Sequence, residues 1–356
     1  MNKIEKFLSD AYKDNVFPGC CCSIINRQNI ERYCVGYKTH IKPVEKNQID
    51  TLYDLASLTK VVGTTPMILK LIQEKYISYQ TPVYKILPMF TNKNITIFHL
   101  LTHTSGLPAD FDWEMNEDKK AIIQRICYYS HQVDHGKKVV YSDLGYIILG
   151  EIIEILTQQS LQQILSKKIF QPLEMFNTGF CPQEIDKCAP TEYSSHVHYV
   201  LKGEVHDHKA FMMNGVAGHA GVFSNIFDLE HYARMILNYG KYKNRTFLDE
   251  QYINDMFTNF SPMHEIPRGI GFLTYAPDSL FSSLNSVKTI AHTGFTGTSM
   301  LIDLENQVAI ILLSNRVHPS RKNTKILDWR SEFHDFVMKC IIGENVDNSI
   351  KKKIAD

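Results

Sequence analysis

A serine and a lysine three residues apart, Ser57 and Lys60, stand at the head of an apolar run in the stretch Tyr53-Asp54-Leu55-Ala56-Ser57-Leu58-Thr59-Lys60. If Ser57 opens a helix, Lys60 lies one turn on, about 4.5 Å further along the same face, and the two side chains can touch. A serine hydroxyl is a poor nucleophile at neutral pH. A neighbouring lysine can take its proton only where burial or nearby positive charge lowers the pKa of the lysine. The amino end of a helix acts in that direction, disfavouring an extra proton on Lys60 and favouring a developing alkoxide on Ser57. Alone, the pair reads more readily as a serine cap followed by a solvated lysine, so the nucleophile reading needs partners from elsewhere in the chain.

Two other stretches supply them. Tyr141-Ser142-Asp143 sits between a short apolar pair and a helix-patterned run; a tyrosine on such a loop can share proton work with a lysine, and Asp143 would face the cleft. His292-Thr293-Gly294 closes an apolar strand and continues into Phe295. On a strand edge the histidine and threonine offer polar groups to one side, and the glycine lets a substrate backbone approach. The backbone N–H groups of Ser57 and Phe295 could together form a two-donor oxyanion hole, each donor worth on the order of 3 kcal/mol. Taken singly, the first stretch is an ordinary capped helix and the second a hairpin with a buried histidine.

In the order Ser-x-x-Lys, Tyr-x-Asp, His-Thr-Gly, the three resemble the serine β-lactamase and penicillin-binding-protein-like superfamily: class C β-lactamases, low-molecular-mass DD-peptidases and related esterases. Leu100-Leu101-Thr102-His103-Thr104-Ser105-Gly106-Leu107-Pro108, Gly218-His219-Ala220-Gly221-Val222-Phe223-Ser224 and Leu312-Leu313-Ser314-Asn315-Arg316-Val317-His318-Pro319 extend the resemblance over most of the chain. It implies a β-lactamase/transpeptidase-like α/β (α+β) fold, an antiparallel sheet flanked by helices with an all-helical lobe inserted. It also implies roles: Ser57 as acylated nucleophile, Lys60 and Tyr141 sharing the proton, Ser57 and Phe295 holding the oxyanion, and Asp143, His292, Thr293 and Gly294 binding substrate. Asp143 stands where class C enzymes have asparagine, and His292 where they have lysine. A neutral histidine grips a carboxylate less strongly than a lysine does, and Asp143 adds negative charge, so a small ester, amide or D-amino-acid peptide is expected ahead of a β-lactam. The alternative outside enzymology is a catalytically silent, penicillin-binding-like ligand-binding protein.

Other chemistries fit less well. His196-Val197-His198 and His206-Asp207-His208 each pair two imidazoles, but among 15 histidines such pairs arise easily, so no metal and no cofactor are expected. No Gly-x-Ser-x-Gly is present, which sets aside the α/β-hydrolases.

The elements that must position these residues follow from pattern. Apolar residues nearly encircle the run 57–74, predicting a buried helix kinked at Pro66. Helical periodicity recurs over 97–103, 121–130, 144–156, 161–170 and 331–342, while strand signals cluster at 20–25, 33–36, 287–292, 298–304 and 308–314. Strands at both ends with helices between predict a single catalytic domain over 1–356, with an α/β lobe from about 1–64 and 210–345 and a helical lobe over about 65–209. A cleft between the two would hold the substrate.

At 356 residues and 44% hydrophobic content a substantial core is available, and 38 basic against 38 acidic residues leave no net field for nucleic acid or an anionic membrane. The lysines at 351, 352 and 353 read as a solvated tail. Residues 1–8 mix charge with apolar groups and read as an amphipathic helix rather than a secretory signal, and no stretch approaches the roughly 20 apolar residues of a membrane span. The eight cysteines, three of them consecutive at 20–22, show no Cys-x-x-Cys spacing, and read as reduced apolar side chains. The expectation is a cytoplasmic protein acting on a small molecule, with no nucleic-acid or membrane partner and its oligomeric state left open.

Overall fold

A computed structural model describes residues 2–113, 117–262, 264, 266–276 and 280–355, the last of these from 343 onward by backbone alone. The side chains of the lysine run at 351–353 lie outside the described residues.

The chain begins with α1 (Lys3–Lys13), started by Asn2, whose side chain accepts the Ile4 N–H at 3.0 Å. An antiparallel meander follows in β1 (Gly19–Ile25), β2 (Ile30–Thr39) and β3 (Glu45–Lys46), and β4 (Tyr53–Asp54) leads into the turn that carries Ser57. Residues 60–64 wind as a π-turn into α2 (Thr65–Gln73). Pro66 therefore falls in the first turn of α2, where its missing N–H costs little; the expected mid-helix kink gives way to this wider turn.

Helices dominate the middle of the chain: α3 (Ile97–Leu101), α4 (Lys119–Tyr129), α5 (Asp143–Thr157) and α6 (Leu161–Leu165). Short elements return with β5 (Gly179–Phe180), the hairpin of β6 (Tyr193–Ser194) and β7 (Tyr199–Val200), α7 (His208–Met212) and β8 (Val222–Ser224). After α8 (Ile226–Leu237), the hairpin of β9 (Lys241–Tyr242) and β10 (Arg245–Thr246), and α9 (Glu250–Phe257), the chain comes back to sheet. Strands β11 (Leu273–Thr274), β12 (Thr289–Thr293), β13 (Ser299–Asp303) and β14 (Val308–Ser314) precede α10 (Ile326–Ala355).

The main sheet is antiparallel with seven strands in the order β11-β12-β13-β14-β1-β2-β3. The two ends of the chain meet at β14 and β1, from Cys20 opposite Ser314 to Ile25 opposite Ala309. Both strands are buried on both faces, and the period of two sorts their side chains. Cys20, Cys22, Ile24, Ile310 and Leu312 pack with Leu8 of α1 and Phe333 and Val337 of α10. Cys21, Ile25, Ile311 and Leu313 face the other way, into the core that includes α2, α5 and α8. Each of the three consecutive cysteines thus serves as a small apolar side chain. A small sheet, β4-β8-β5, ties the Ser57 turn to the helical middle of the chain.

Candidate active site

Ser57 sits in a turn held from two sides. Asp54 accepts the Ala56 N–H at 2.8 Å and the His206 N–H at 2.7 Å, and Ala56 takes a left-handed φ of 47°, a conformation rare outside glycine that such bonds must enforce. From the sheet edge, Thr296 donates to the Asp54 carbonyl at 2.7 Å and Thr298 to the Leu55 carbonyl at 3.0 Å. Gly294 permits this clamp: a Cβ there would lie 2.1 Å from Thr298 Oγ1 and 2.4 Å from the Leu55 carbonyl oxygen. Helical winding begins at Leu58, directly after Ser57, and widens into the π-turn at Lys60. Neither the Ser57 N–H nor the Phe295 N–H has an internal acceptor among the described residues.

Lys60 is fully buried, donates to Ser57 Oγ at 2.8 Å and to the His219 carbonyl at 3.1 Å, and forms an ion pair with Asp143 Oδ1 at 2.7 Å. Its Nζ lies 5.0 Å from the centre of the Tyr141 ring. Burial pushes the ammonium down, but Asp143 and then Tyr141 push it up, and the balance falls above the ordinary lysine value. The sequence argument called for a lowered value; the carboxylate in contact reverses it.

Tyr141 is packed among rings and a cation. Its ring centre is 4.7 Å from that of His103 and 5.9 Å from that of His292, with the Arg268 guanidinium 5.3 Å away over its face. His103 Nδ1 accepts the Ser142 N–H at 3.0 Å, and His292 Nδ1 donates to the Thr293 carbonyl at 2.9 Å. Burial, reinforced by the cations Lys60 and Arg268, holds both imidazoles neutral, well below the ordinary histidine range. Arg268 is itself 4% exposed, and its Nε and Nη1 find no hydrogen-bond partner among the described residues.

Asp143 opens α5, capped by Ser142, and meets a second buried lysine: Lys209 lies 3.2 Å from Asp143 Oδ2, 3.2 Å from Asp207 and 2.6 Å from Asp110. His219 Nε2 is 2.7 Å from Asp207 Oδ1. Asp143, Asp207 and His219 offer ligand atoms within 4.8 Å of one another, the only such trio among the described residues. Lys60 and Lys209 already occupy the two Asp143 oxygens, so ammonium groups stand where a cation would bind. The paired histidines of the sequence hold none of this: His196 stacks on His208 at 4.6 Å, and His206 contacts Glu192 at 3.0 Å.

Ser57, Tyr141, Asp143, His292, Thr293, Gly294 and Phe295 line one cleft of about 760 Å³, with Lys60 beneath its floor. The model of the Beta-lactamase family matches residues 7–332. The chain belongs to the Beta-lactamase family. It is 33% identical over 316 residues to a protein of Salmonella enteritidis named "Putative D-alanyl-D-alanine carboxypeptidase", covering 78% of this chain and 72% of that one. Among solved structures it is similar to the octameric penicillin-binding protein homologue from Pyrococcus abyssi, at 22% identity with a TM-score of 0.75 over 96% of this chain and 77% of that one. It is also similar to EstCE1, a hydrolase with promiscuous acyltransferase activity, at 17% identity with a TM-score of 0.70 over 93% of this chain and 97% of that one. This beta-lactamase-family chain is therefore of a serine hydrolase family, and no helix among its described residues is long and apolar enough to cross a membrane.

Three charged or polar groups at the cleft escaped the sequence reading. Lys209 and Arg268 stand in no motif, and their contacts lie far away in sequence. His103 falls within the Leu100–Pro108 stretch, and its left-handed φ of 58° carries no marker in the sequence, since glycine is absent there.

Proposed function

We propose that the chain is an acyl-transferring serine hydrolase that acts on a short peptide or ester bearing a carboxylate beside the scissile bond, in the manner of a D-amino-acid carboxypeptidase. The observation that carries the hydrolase reading is the 2.8 Å contact between Ser57 Oγ and the buried Lys60 Nζ at the cleft floor. In this reading Ser57 attacks the carbonyl, Lys60 and Tyr141 pass its proton to the leaving group, and the N–H groups of Ser57 and Phe295 hold the oxyanion. Water then releases the acyl group.

The carboxylate is argued from Arg268. A guanidinium buried without an anion is costly, and this one lines the cleft beside Tyr141 with no carboxylate paired to it among the described residues. Neutral His292 leaves the anion to it. The negative charge of Asp143 does not oppose this, being matched by Lys60 and Lys209. The name of the Salmonella relative points the same way.

The test is release of D-alanine from an acylated D-alanyl-D-alanine peptide, set beside the same peptide amidated at its carboxyl end and a neutral p-nitrophenyl ester. Turnover should favour the free carboxylate, vanish in Ser57→Ala, and lose that preference in Arg268→Ala. Equal turnover of acid and amide would sink the carboxylate; stable labelling of Ser57 without turnover of any of the three would favour the silent binding protein.

A further inference from the structure

Lys209 is a buried lysine at the start of α7, with a side chain 5% exposed. Burying an ammonium is costly, and a helix amino terminus favours negative charge instead, so its place there asks for a reason. Its partners give one. The two oxygens of Asp143 are divided, Oδ1 to Lys60 at 2.7 Å and Oδ2 to Lys209 at 3.2 Å. Lys209 is held in turn by Asp207 at 3.2 Å and by Asp110, from the cleft mouth, at 2.6 Å.

We propose that Lys209 is a positioning residue for acylation, sharing the Asp143 carboxylate with Lys60 so that Asp143 orients Lys60 while favouring its charged form less than an unshared carboxylate would. The inference rests on the serine-hydrolase reading above. A carboxylate in contact with one lysine alone favours that lysine's charged form by about 1 to 3 pKa units. A second cation on the same carboxylate offsets part of that, both by drawing on Asp143 and by repelling a proton nearby. Loss of the Lys209 charge removes that offset, so Lys60 should give up its proton at higher pH. The other groups around the pair are Tyr141, His103, His219, His292 and Arg268, with Asp207 and Asp110 beyond; they are common to the variants below unless named.

The experiment is the rate of covalent labelling of Ser57 by a fluorophosphonate, followed by mass spectrometry on the full chain across the pH range. In Lys209→Met the rising limb should move to higher pH by about one unit, with labelling roughly tenfold slower below it and the alkaline plateau kept. Lys209→Arg should retain the parental limb, and Lys209→Met combined with Asp143→Asn should return it toward the parental position. Should Lys209→Met fail to fold, Asp110→Asn, on a half-exposed carboxylate, should move the limb to lower pH. A merely structural lysine would lower the plateau and leave the limb where it was. An unmoved limb in folded Lys209→Met, or in Asp110→Asn if that variant is the one that folds, overturns the inference alone. No labelling at any pH overturns the hydrolase reading and this inference with it.

Discussion

In the proposed mechanism Lys60→Ala removes the proton carrier but leaves Ser57 and the two proposed oxyanion donors, so it should lower the acylation rate by about 10² to 10⁴. Pre-steady-state release of p-nitrophenol measures it; a near-normal burst would move the proton work to Tyr141. Gly294→Ala tests the clamp rather than the chemistry. Its Cβ would meet Thr298 Oγ1 at 2.1 Å and the Leu55 carbonyl oxygen at 2.4 Å, forcing the sheet edge away from Ser57. A displacement near 1 Å costs about 10² in rate, so kcat should fall by at least that order, with a lower melting temperature from the overpacking beside it. What could be read at this scale was local: Ser57 with Lys60, Tyr141 with Asp143, and His292 to Phe295 are each a few residues long, and the fold brings them to one cleft. Lys209 and Arg268 could not be read, because nothing near them in sequence says that a buried carboxylate cluster or the face of Tyr141 awaits them. The direction of the Lys60 shift was misread for the same reason: contact with Asp143 is a fact of tertiary structure.

Between elements, the site depends on how closely α5 can approach the segment before β8. Gly150 and Gly218 face each other there, and a Cβ on Gly218 would fall 2.1 Å from the Tyr146 carbonyl oxygen and 2.9 Å from the Gly150 N. That approach seats the His219 carbonyl against Lys60 and sets Asp143, at the start of α5, beside it. Gly218→Ala should therefore destabilise the fold by about 1 to 3 kcal/mol through overpacking, read as a lower urea midpoint, and slow labelling of Ser57 as well. Loss of stability with unchanged labelling would mean that the α5 spacing does not govern the site. Strongly patterned elements were legible: α5, β13 and β14 fall within a residue or so of where their periodicity puts them. The stretch from 185 to 285 was not, although it holds α8, well capped by Asn225 and covering β14 and β1. Short strands such as β4, β5 and β8 span two or three residues, too few to show a period. The start of the Ser57 helix was legible to within a residue, Leu58 being the first helical position, but not the bonds from Asp54, Thr296 and Thr298 that hold the turn before it.

For the molecule as a whole, strands at both ends of the sequence called for one sheet joining them, and β14 beside β1 is that junction; burying those faces leaves histidines in three separate parts of the interior. His103 lies by the helical middle, His292 at the sheet edge and His334 on the inner face of α10, where its Nδ1 donates to the Leu280 carbonyl at 3.0 Å. Burial lowers all three, His334 to about 4. In the unfolded chain each would titrate near its ordinary value of about 6.5. Their contribution is thus fully present above that pH, and between about 6.5 and 4 the unfolded chain binds protons the native one does not, so stability falls as pH falls, by up to about 1.4 kcal/mol per unit for each group. The lowered carboxylates Asp143, Asp207 and Asp303 add to the loss only nearer pH 4, where their unfolded forms titrate. Asp54 and Asp255, raised by burial, act in the opposite sense and soften the acid end. Thermal unfolding should accordingly show a melting temperature clearly lower at pH 5 than at pH 7, with His334→Gln flattening that slope by one histidine's share. A melting temperature flat across that interval would show that these imidazoles are not held neutral by the fold, and the electrostatic account of the cleft around His103 and His292 would fail with it.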